Sequence, residues 1–228
     1  MIAVIGDIHG CYNTLKFLVK EIRKRYVGIE IYTTGDLIDR GKYPHLVIEY
    51  VKAENIFPVL GNHECMFFNY FRSPGSLLGK MWILNDYLST REAYSLSAEM
   101  LDDHLDYISD LPFFYNLPDC FISHAGIAKT LRSKLFYDKS INESRLDDFY
   151  REDIESDTHI IWNRGDLLDI GKLQVVGHTR KREMEIDEFN NALYLDTSAF
   201  SGERLSCAVI ERDGVVEAIS ADTDPRDV

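Results

Sequence analysis

The tightest constraint on what this chain can fold into is a repeated pattern: a short apolar run, then a glycine or a polar cluster. The runs are "IAVI" (2–5), "IEIYTT" (29–34), "IFPVL" (56–60), "CFIS" (120–123), "LQVV" (173–176), "ALYLD" (192–196), "CAVIE" (207–211) and "VVEAI" (215–219). Such short lengths, rich in β-branched and aromatic side chains, predict strands. Residues 11–26 place Leu15, Leu18, Val19, Ile22 and Tyr26 three or four apart, the spacing of one helix face, with Asn13 or Thr14 as N-cap. A second helical pattern covers 43–53, with Pro44 suited to its first turn. A β-α-β-α-β order implies a mainly parallel sheet with helical crossovers. Closely spaced strands fill the last third, with a hairpin turn at "ERDGVV" (211–216). Residues 66–112 read as a helical, aromatic, cap-like segment inserted in a single domain spanning 1–228. "ADTDPRDV" at the end reads as a loose acidic tail.

A formal charge of −13 and a pI near 4.9 argue against an extended, sequence-independent grip on nucleic acid, which needs a basic face. The four cysteines, Cys11, Cys65, Cys120 and Cys207, are scattered with no CxxC pair, which suits a reducing compartment. "MIAVIGD" leads straight into a strand, leaving no room for a signal peptide, and no apolar run nears the ~18 residues that span a bilayer. The expectation is a soluble, cytoplasmic protein with no membrane partner. No pattern speaks to its oligomeric state.

Polar chemistry concentrates where the strands end. "GDIHG" follows the first, "GDLIDRG" the second, "GNHE" the third, "SHAG" the fourth and "GHTR" the fifth. Ligands of open α/β sheets sit at the carboxyl ends of strands, so these loops are expected to converge. A lone GD or GH is ordinarily a turn with a capping aspartate, and a lone histidine is ordinarily a satisfied one. Five ordered blocks resist that account: they hold His9, His63, His124 and His178, and leave out only His45, His104 and His159. Aspartate oxygens and neutral imidazoles suit borderline divalent ions, Mn first, with Fe or Zn as alternatives. Asp7, His9, Asp36, Asn62, His124 and His178 make six donors, too many for one tetrahedral ion. They suit two ions about 3.5–4 Å apart that share a carboxylate.

In order, the five blocks span residues 6–179 and resemble the motifs of metallophosphatases of the phosphoprotein-phosphatase type. The small bacterial and phage enzymes are the nearest in pattern, and the symmetric diadenosine tetraphosphatases are related. The resemblance implies an α/β fold, a four-layer αββα sandwich with mixed β-sheets. It implies that Asp7 and His9 bind a first metal, that Asp36 bridges both, and that Asn62, His124 and His178 complete the second. His63 would then be the general acid, oriented by Asp39. Arg40 and Arg164 of "WNRGD" would hold phosphate oxygens, with Asn62 also at the substrate. The implied reaction is hydrolysis of phosphomonoesters by a hydroxide bridging the ions. Phosphoserine and phosphothreonine proteins are the first expected substrates, with phosphotyrosine as an extension. A histidine near its ordinary pKa suits proton donation, and the arginine fork suits two phosphate oxygens at once.

Two details refine the resemblance. "GHTR" puts Arg180 where many other metallophosphoesterases carry a second ligand histidine. Asp39 together with "GNHE" keeps the pair of the protein phosphatases, whereas symmetric tetraphosphatases typically carry alanine and GNHD at these places. A symmetric dinucleoside tetraphosphatase or a small-molecule nucleotide phosphohydrolase is the alternative. One departure stands out: phage-type enzymes often read RGNHE, and this chain has Leu60 at the arginine's place. Arg72, Lys181 and Arg182 are candidate substitutes, each more simply a solvated surface charge. Trp82, Tyr87 and "MFFNYF" (66–71) read as core of the helical segment, and "DDHLD" (102–106) as a solvated helix face.

Overall fold

Strand parity decides the architecture. In β1 (Ile2–Ile5), Ile2 and Val4 point to one side and Ala3 and Ile5 to the other, and all four are buried. A strand buried on both faces needs a layer on each. Ile2 and Val4 pack with Ile122, Val175 and Leu193 of a second sheet, while Ala3 and Ile5 pack with Leu15, Leu18 and Val47 from helices.

The computed structural model describes residues 1–135, 142–212 and 214–228. After β1 come α1 (Tyr12–Arg25), β2 (Glu30–Thr33), α2 (Pro44–Ala53) and β3 (Phe57–Pro58). Four helices follow: α3 (Asn62–Arg72), α4 (Leu77–Trp82), α5 (Leu88–Leu96) and α6 (Leu101–Ser109). The second sheet is built from β4 (Phe114–Asn116), β5 (Phe121–Ser123), β6 (Gln174–Val176), β7 (Glu185–Asp187) and β8 (Ala192–Tyr194), with α7 (Arg132–Leu135) and α8 (Glu143–Glu152) between β5 and β6. The chain then returns to the first sheet as β9 (Arg204–Glu211) and β10 (Gly214–Asp222).

The first sheet has the order β10-β9-β1-β2-β3, and the second β4-β5-β6-β8-β7. β1, β2 and β3 run parallel, in register Ile5↔Thr33 and Thr33↔Pro58, and β9 closes antiparallel with Ile5↔Cys207. In the second sheet β5, β6 and β8 are parallel, flanked by antiparallel β4 and β7. The outer face of the second sheet is covered in part by α8, whose Leu146 and Tyr150 are buried in one cluster with Phe121. Both sheets are mixed and helices lie outside them, as the motif resemblance implies. All four cysteines are buried, and none is paired in a disulfide among the described residues. No described helix is long and apolar enough to cross a membrane.

Several expectations need correction. The helical segment begins at Asn62 rather than residue 66, so the "GNHE" block is the first turn of α3, not a loop. "DDHLD" is a solvated face only in part: Asp102 and Asp106 pair with Arg72 and Asp103 with Lys52, but His104 is fully buried between Tyr94 and Glu49. The terminal segment is not loose. Asp227 is 0% exposed and its carboxylate accepts from the backbone N–H groups of Asn13 and Thr14, at 3.0 and 2.8 Å. It also accepts from the Asn13 amide and the Thr14 hydroxyl, so a carboxylate from the far end of the chain does the capping assigned to Asn13 or Thr14. The hairpin expected at 211–216 joins β9 and β10, with Asp213 outside the described residues.

Candidate functional site

The carboxyl ends of β1, β2, β5, β6 and β8 meet at one edge of the sandwich, and so do their loops. The backbones of "GDIHG" and "GDLIDRG" are hydrogen-bonded to each other: Ile8 and His9 N–H donate to Asp36 O, and Gly10 N–H to Leu37 O. Glu64, on the first turn of α3, ties in the third block. Its carboxylate accepts from the N–H groups of Gly61, Asp36, Leu37 and Ile38 at 2.7 to 3.2 Å.

The glycines of the blocks provide room as well as turns. A Cβ on Gly177 would overlap Asp7 Oδ1, and one on Gly61 would overlap Asp36 Oδ1, so the carboxylates fill space that only glycine leaves free. His9, Asp36, Asp39, Arg40 and His178 all hold left-handed backbone conformations, with φ from 45° to 70°. Such non-glycine strain is uncommon and clusters at functional sites.

A cavity of about 350 Å³ opens at this edge, lined by Asp7, Asp36, Arg40, Asn62, His63, Asn85, Trp162, Arg164, His178, Arg180 and Asp196. Of the ten residues expected at the site, seven line it directly. His9, Asp39 and His124 lie behind them in hydrogen-bonding contact, so all ten come together. Donor atoms converge in two groups. In the first, His124 Nε2 is 2.8 Å from Asn62 Oδ1 and 3.1 Å from His178 Nδ1, with Asp36 Oδ1 at 3.5 Å. In the second, His9 Nε2 lies 3.4 Å from Asp36 Oδ2 and His63 Nε2 lies 3.9 Å from the same oxygen. Asp36 thus faces both groups, one oxygen to each.

Outer contacts fix the rings. His124 Nδ1–H donates to Thr34 O at 2.7 Å and His9 Nδ1–H to Ile38 O at 2.8 Å, which leaves each Nε2 lone pair aimed inward. Asp7 accepts from the Thr34 hydroxyl at 2.7 Å and from His178 N–H at 2.8 Å. His63 Nδ1–H donates to Asp39 Oδ2 at 2.6 Å, and the buried Trp82 indole N–H donates to the same oxygen at 3.0 Å. Trp82 packs among Phe67, Tyr70 and Tyr87 as core, and its N–H links the helical segment to the site. Arg40 is turned inward: Nη1 donates to His9 Nε2 at 2.7 Å and Nη2 to His63 Nε2 at 3.1 Å.

The electrostatics are those of a site built around added positive charge. Burial pushes the Asp7 carboxyl well up, reinforced by the nearby carboxylates of Asp196 and Asp36. Burial also opposes ionisation of Asp36, but His124, His63, His9 and Arg40 together hold it well below the carboxylate range. His9 and His124 are lowered by burial, and His178 is pushed down to about 2 by burial and by His124. His63 alone goes the other way: burial disfavours its charge, but Asp36 and the bonded Asp39 outweigh that and raise it. Neutral imidazoles, crowded carboxylates and an arginine bonded to an inward lone pair fit divalent cations in the donor groups.

Asp196 and Phe200 lie outside the five blocks, and Arg180 stands out in sequence only as the residue in place of a second histidine in "GHTR". Asp196 ends the "ALYLD" run without a glycine, yet it is buried and lines the cavity. Of the proposed substitutes for the missing arginine, Arg72 and Lys181 are engaged elsewhere, with Asp106 and Glu185, and neither they nor Arg182 line the cavity.

Mixed sheets with helices outside, and buried Asp/His clusters at the strand ends, define a phosphoesterase-type metal site. Residues 1–209 match the family described as calcineurin-like phosphoesterase, and the chain belongs to it. It is 26% identical over 218 residues to serine/threonine-protein phosphatase 2 of Salmonella typhimurium, covering 89% of each chain. It is 36% identical over 63 residues to a symmetrical bis(5'-nucleosyl)-tetraphosphatase of Actinobacillus pleuropneumoniae, a match of 27% of this chain and only 23% of that one. The fold is shared with a cold-active protein-tyrosine phosphatase of a Shewanella species (TM-score 0.67, 14% identity, 98% of this chain and 80% of that). It is shared equally with a putative diadenosine tetraphosphatase (TM-score 0.64, 20% identity, 98% and 94%).

Proposed function

We propose that the protein is a metal-dependent protein serine/threonine phosphatase, hydrolysing phosphomonoesters of phosphoserine and phosphothreonine and, by extension, phosphotyrosine. The observation that carries this reading is the His63–Asp39 hydrogen bond of 2.6 Å, with His63 Nε2 turned to the cavity. Asp7, His9 and Asp36 would hold one divalent ion, and Asp36, Asn62, His124 and His178 the other, Mn being the first candidate ahead of Fe and Zn. When bound, the ions supply Lewis-acid charge and lower the pKa of water toward ~7.

The chain's own residues supply the rest. Asp39 fixes the His63 ring through Nδ1 and stabilises its charge, so that Nε2 can carry the proton for the leaving oxygen once Arg40 Nη2, which now donates to it, turns toward the phosphoryl group. Trp82 holds Asp39 in turn. Asn62, Arg40 and Arg164 face the cavity as partners for phosphoryl oxygens, with Arg40 turning outward from His9 to reach them. In-line phosphoryl transfer asks little more of a protein than positioning and charge.

The test is a substrate panel on Mn-loaded protein, comparing phosphoserine, phosphothreonine and phosphotyrosine peptides with diadenosine tetraphosphate. Release of phosphate from the peptides is expected. Exclusive cleavage of the dinucleotide would instead assign the symmetric tetraphosphatase activity.

A further inference from the structure

The sequence leaves one gap: Leu60 stands where phage-type enzymes often carry an arginine. Arg72, Lys181 and Arg182 stay outside the cavity, but Arg180 joins Arg40 and Arg164 in lining it, entering from the second sheet just after the "GHT" turn. Its guanidinium carbon lies 5.4 Å from the centroid of Phe200, and that of Arg40 lies 4.3 Å from the same centroid. The Phe200 ring also meets His9 edge-on, with centroids 5.1 Å apart at 82°. One half-buried ring therefore seats two arginines beside a candidate metal donor.

Those charges are not consumed internally. Among the described residues no ion pair engages Arg180 or Arg164, and the one formed by Arg40 is a 3.9 Å contact with exposed Asp86. Asp196, which shares the cavity wall with Arg40 and Arg180, accepts from Ser198 N–H at 3.0 Å. A guanidinium with free donors, seated on an aromatic face in a cavity built for a phosphoryl group, has the chemistry of an oxyanion clamp.

We infer that Arg180 is a phosphate-binding residue of this site and that Phe200 is the positioning residue that seats it, together with Arg40. Arg180 supplies from the second sheet the charge that an arginine before "GNHE" supplies in the phage-type pattern. The inference rests on the reading of the cavity as a phosphomonoester site.

The test uses the Mn-loaded full chain. Arg180→Gln raises the inhibition constant of inorganic phosphate and the KM for p-nitrophenyl phosphate together, each about tenfold, the loss of one charged clamp (about 1.4 kcal/mol). kcat changes less than either. Phe200→Leu shifts both constants the same way by a smaller factor, and Phe200→Tyr, which keeps the ring face, restores them. Arg180 is exposed, so its variant folds, and a thermal melt confirms it. Phosphate titration by calorimetry separates this idea from the proposed activity. If the wild-type protein turns over no phosphomonoester, that activity is refuted while the titration still reads Arg180. Unchanged phosphate affinity in Arg180→Gln overturns the inference, as does a Phe200→Leu loss that tyrosine fails to restore.

Discussion

Acid should unfold this protein partly through one histidine outside the candidate metal donors. His159 is 1% exposed and packs edge-on against Phe113 and Tyr150, with ring centroids 5.2 and 4.8 Å away. Its Nε2–H donates to Tyr150 O at 2.8 Å, while Nδ1 accepts from Ile161 N–H at 3.2 Å. A second proton would have to sit on Nδ1, facing an N–H it now accepts from. Burial pushes the imidazole down from 6.5 to about 4, against the pull of the Tyr150 carbonyl. The unfolded chain therefore takes up a proton at a higher pH than the native one. The stabilisation is fully present above pH 6.5 and lost as pH falls toward 4. The whole shift corresponds to about 3 kcal/mol, of which about 2 kcal/mol is gone by pH 5. Urea unfolding of wild type and His159→Gln at pH 7.5 and pH 5 isolates this part, because the other buried histidines are common to both. The variant is less stable at pH 7.5 but loses about 2 kcal/mol less on acidification. Equal pH dependence in the two proteins would refute the reasoning. The effect should reach the site too, since His159 O accepts from Trp162 and Asn163 N–H, at 2.8 and 2.9 Å, in the loop that carries Arg164.

Other perturbations read the site and its supports. His63→Asn is expected to keep its metal content while kcat falls by ~100-fold or more, the scale of lost acid–base help; metal loss in that variant would mean the histidine had been misassigned. Asp36→Asn, by contrast, should weaken both ions at once, because one oxygen faces each donor group; elemental analysis showing full occupancy would count against a shared carboxylate. Asp227→Ala strips four hydrogen bonds from the start of α1 and leaves buried donors unpaired. A loss of about 2–4 kcal/mol is expected in urea unfolding, and wild-type stability would show that the terminal carboxylate is dispensable.

The candidate metal donors were legible because each block is local: strand, glycine, chemical side chain, all within seven residues. What lay beyond was governed by contacts remote in sequence. Asp227 caps a helix 213 residues away, and no local pattern separates such a carboxylate from a frayed acidic end. β4 and β7 are three-residue strands, too short for their alternation to stand out. Arg180 was visible only as the residue that breaks GHxH, since a surface arginine gains meaning from the ring beneath it. The glycines were half read. Their turns are real, but Gly61 and Gly177 are required by neighbouring carboxylates that the sequence does not show touching them. α8 had a usable signal in the spacing of Leu146, Phe149 and Tyr150, a helix-face interval.

Strain links the folding of the first sheet to the making of the site. A left-handed conformation costs an ordinary residue roughly 1–2 kcal/mol, and five site residues adopt one. Aspartate and histidine tolerate it better than most residues, but five such conformations in one site still need the surroundings to impose them. Continuing the parallel register past Ile5↔Thr33 brings "GDIHG" against "GDLIDRG", where the loops exchange backbone hydrogen bonds. Glu64 then gathers four N–H groups that the twisted backbone would otherwise leave buried and unpaired. Asp227 O accepts from Lys42 N–H at 2.9 Å while its side chain holds Asn13 and Thr14, so one residue grips the chain just beyond both loops. The side chains of Asp7, His9 and Asp36, and of Arg40 beside them, are therefore aimed by backbone contacts that exist only when both strands and α3 have docked. A fold that loses any of these ties keeps its hydrophobic sheets yet loses the aim of its donors, so metal affinity should fail before global stability does.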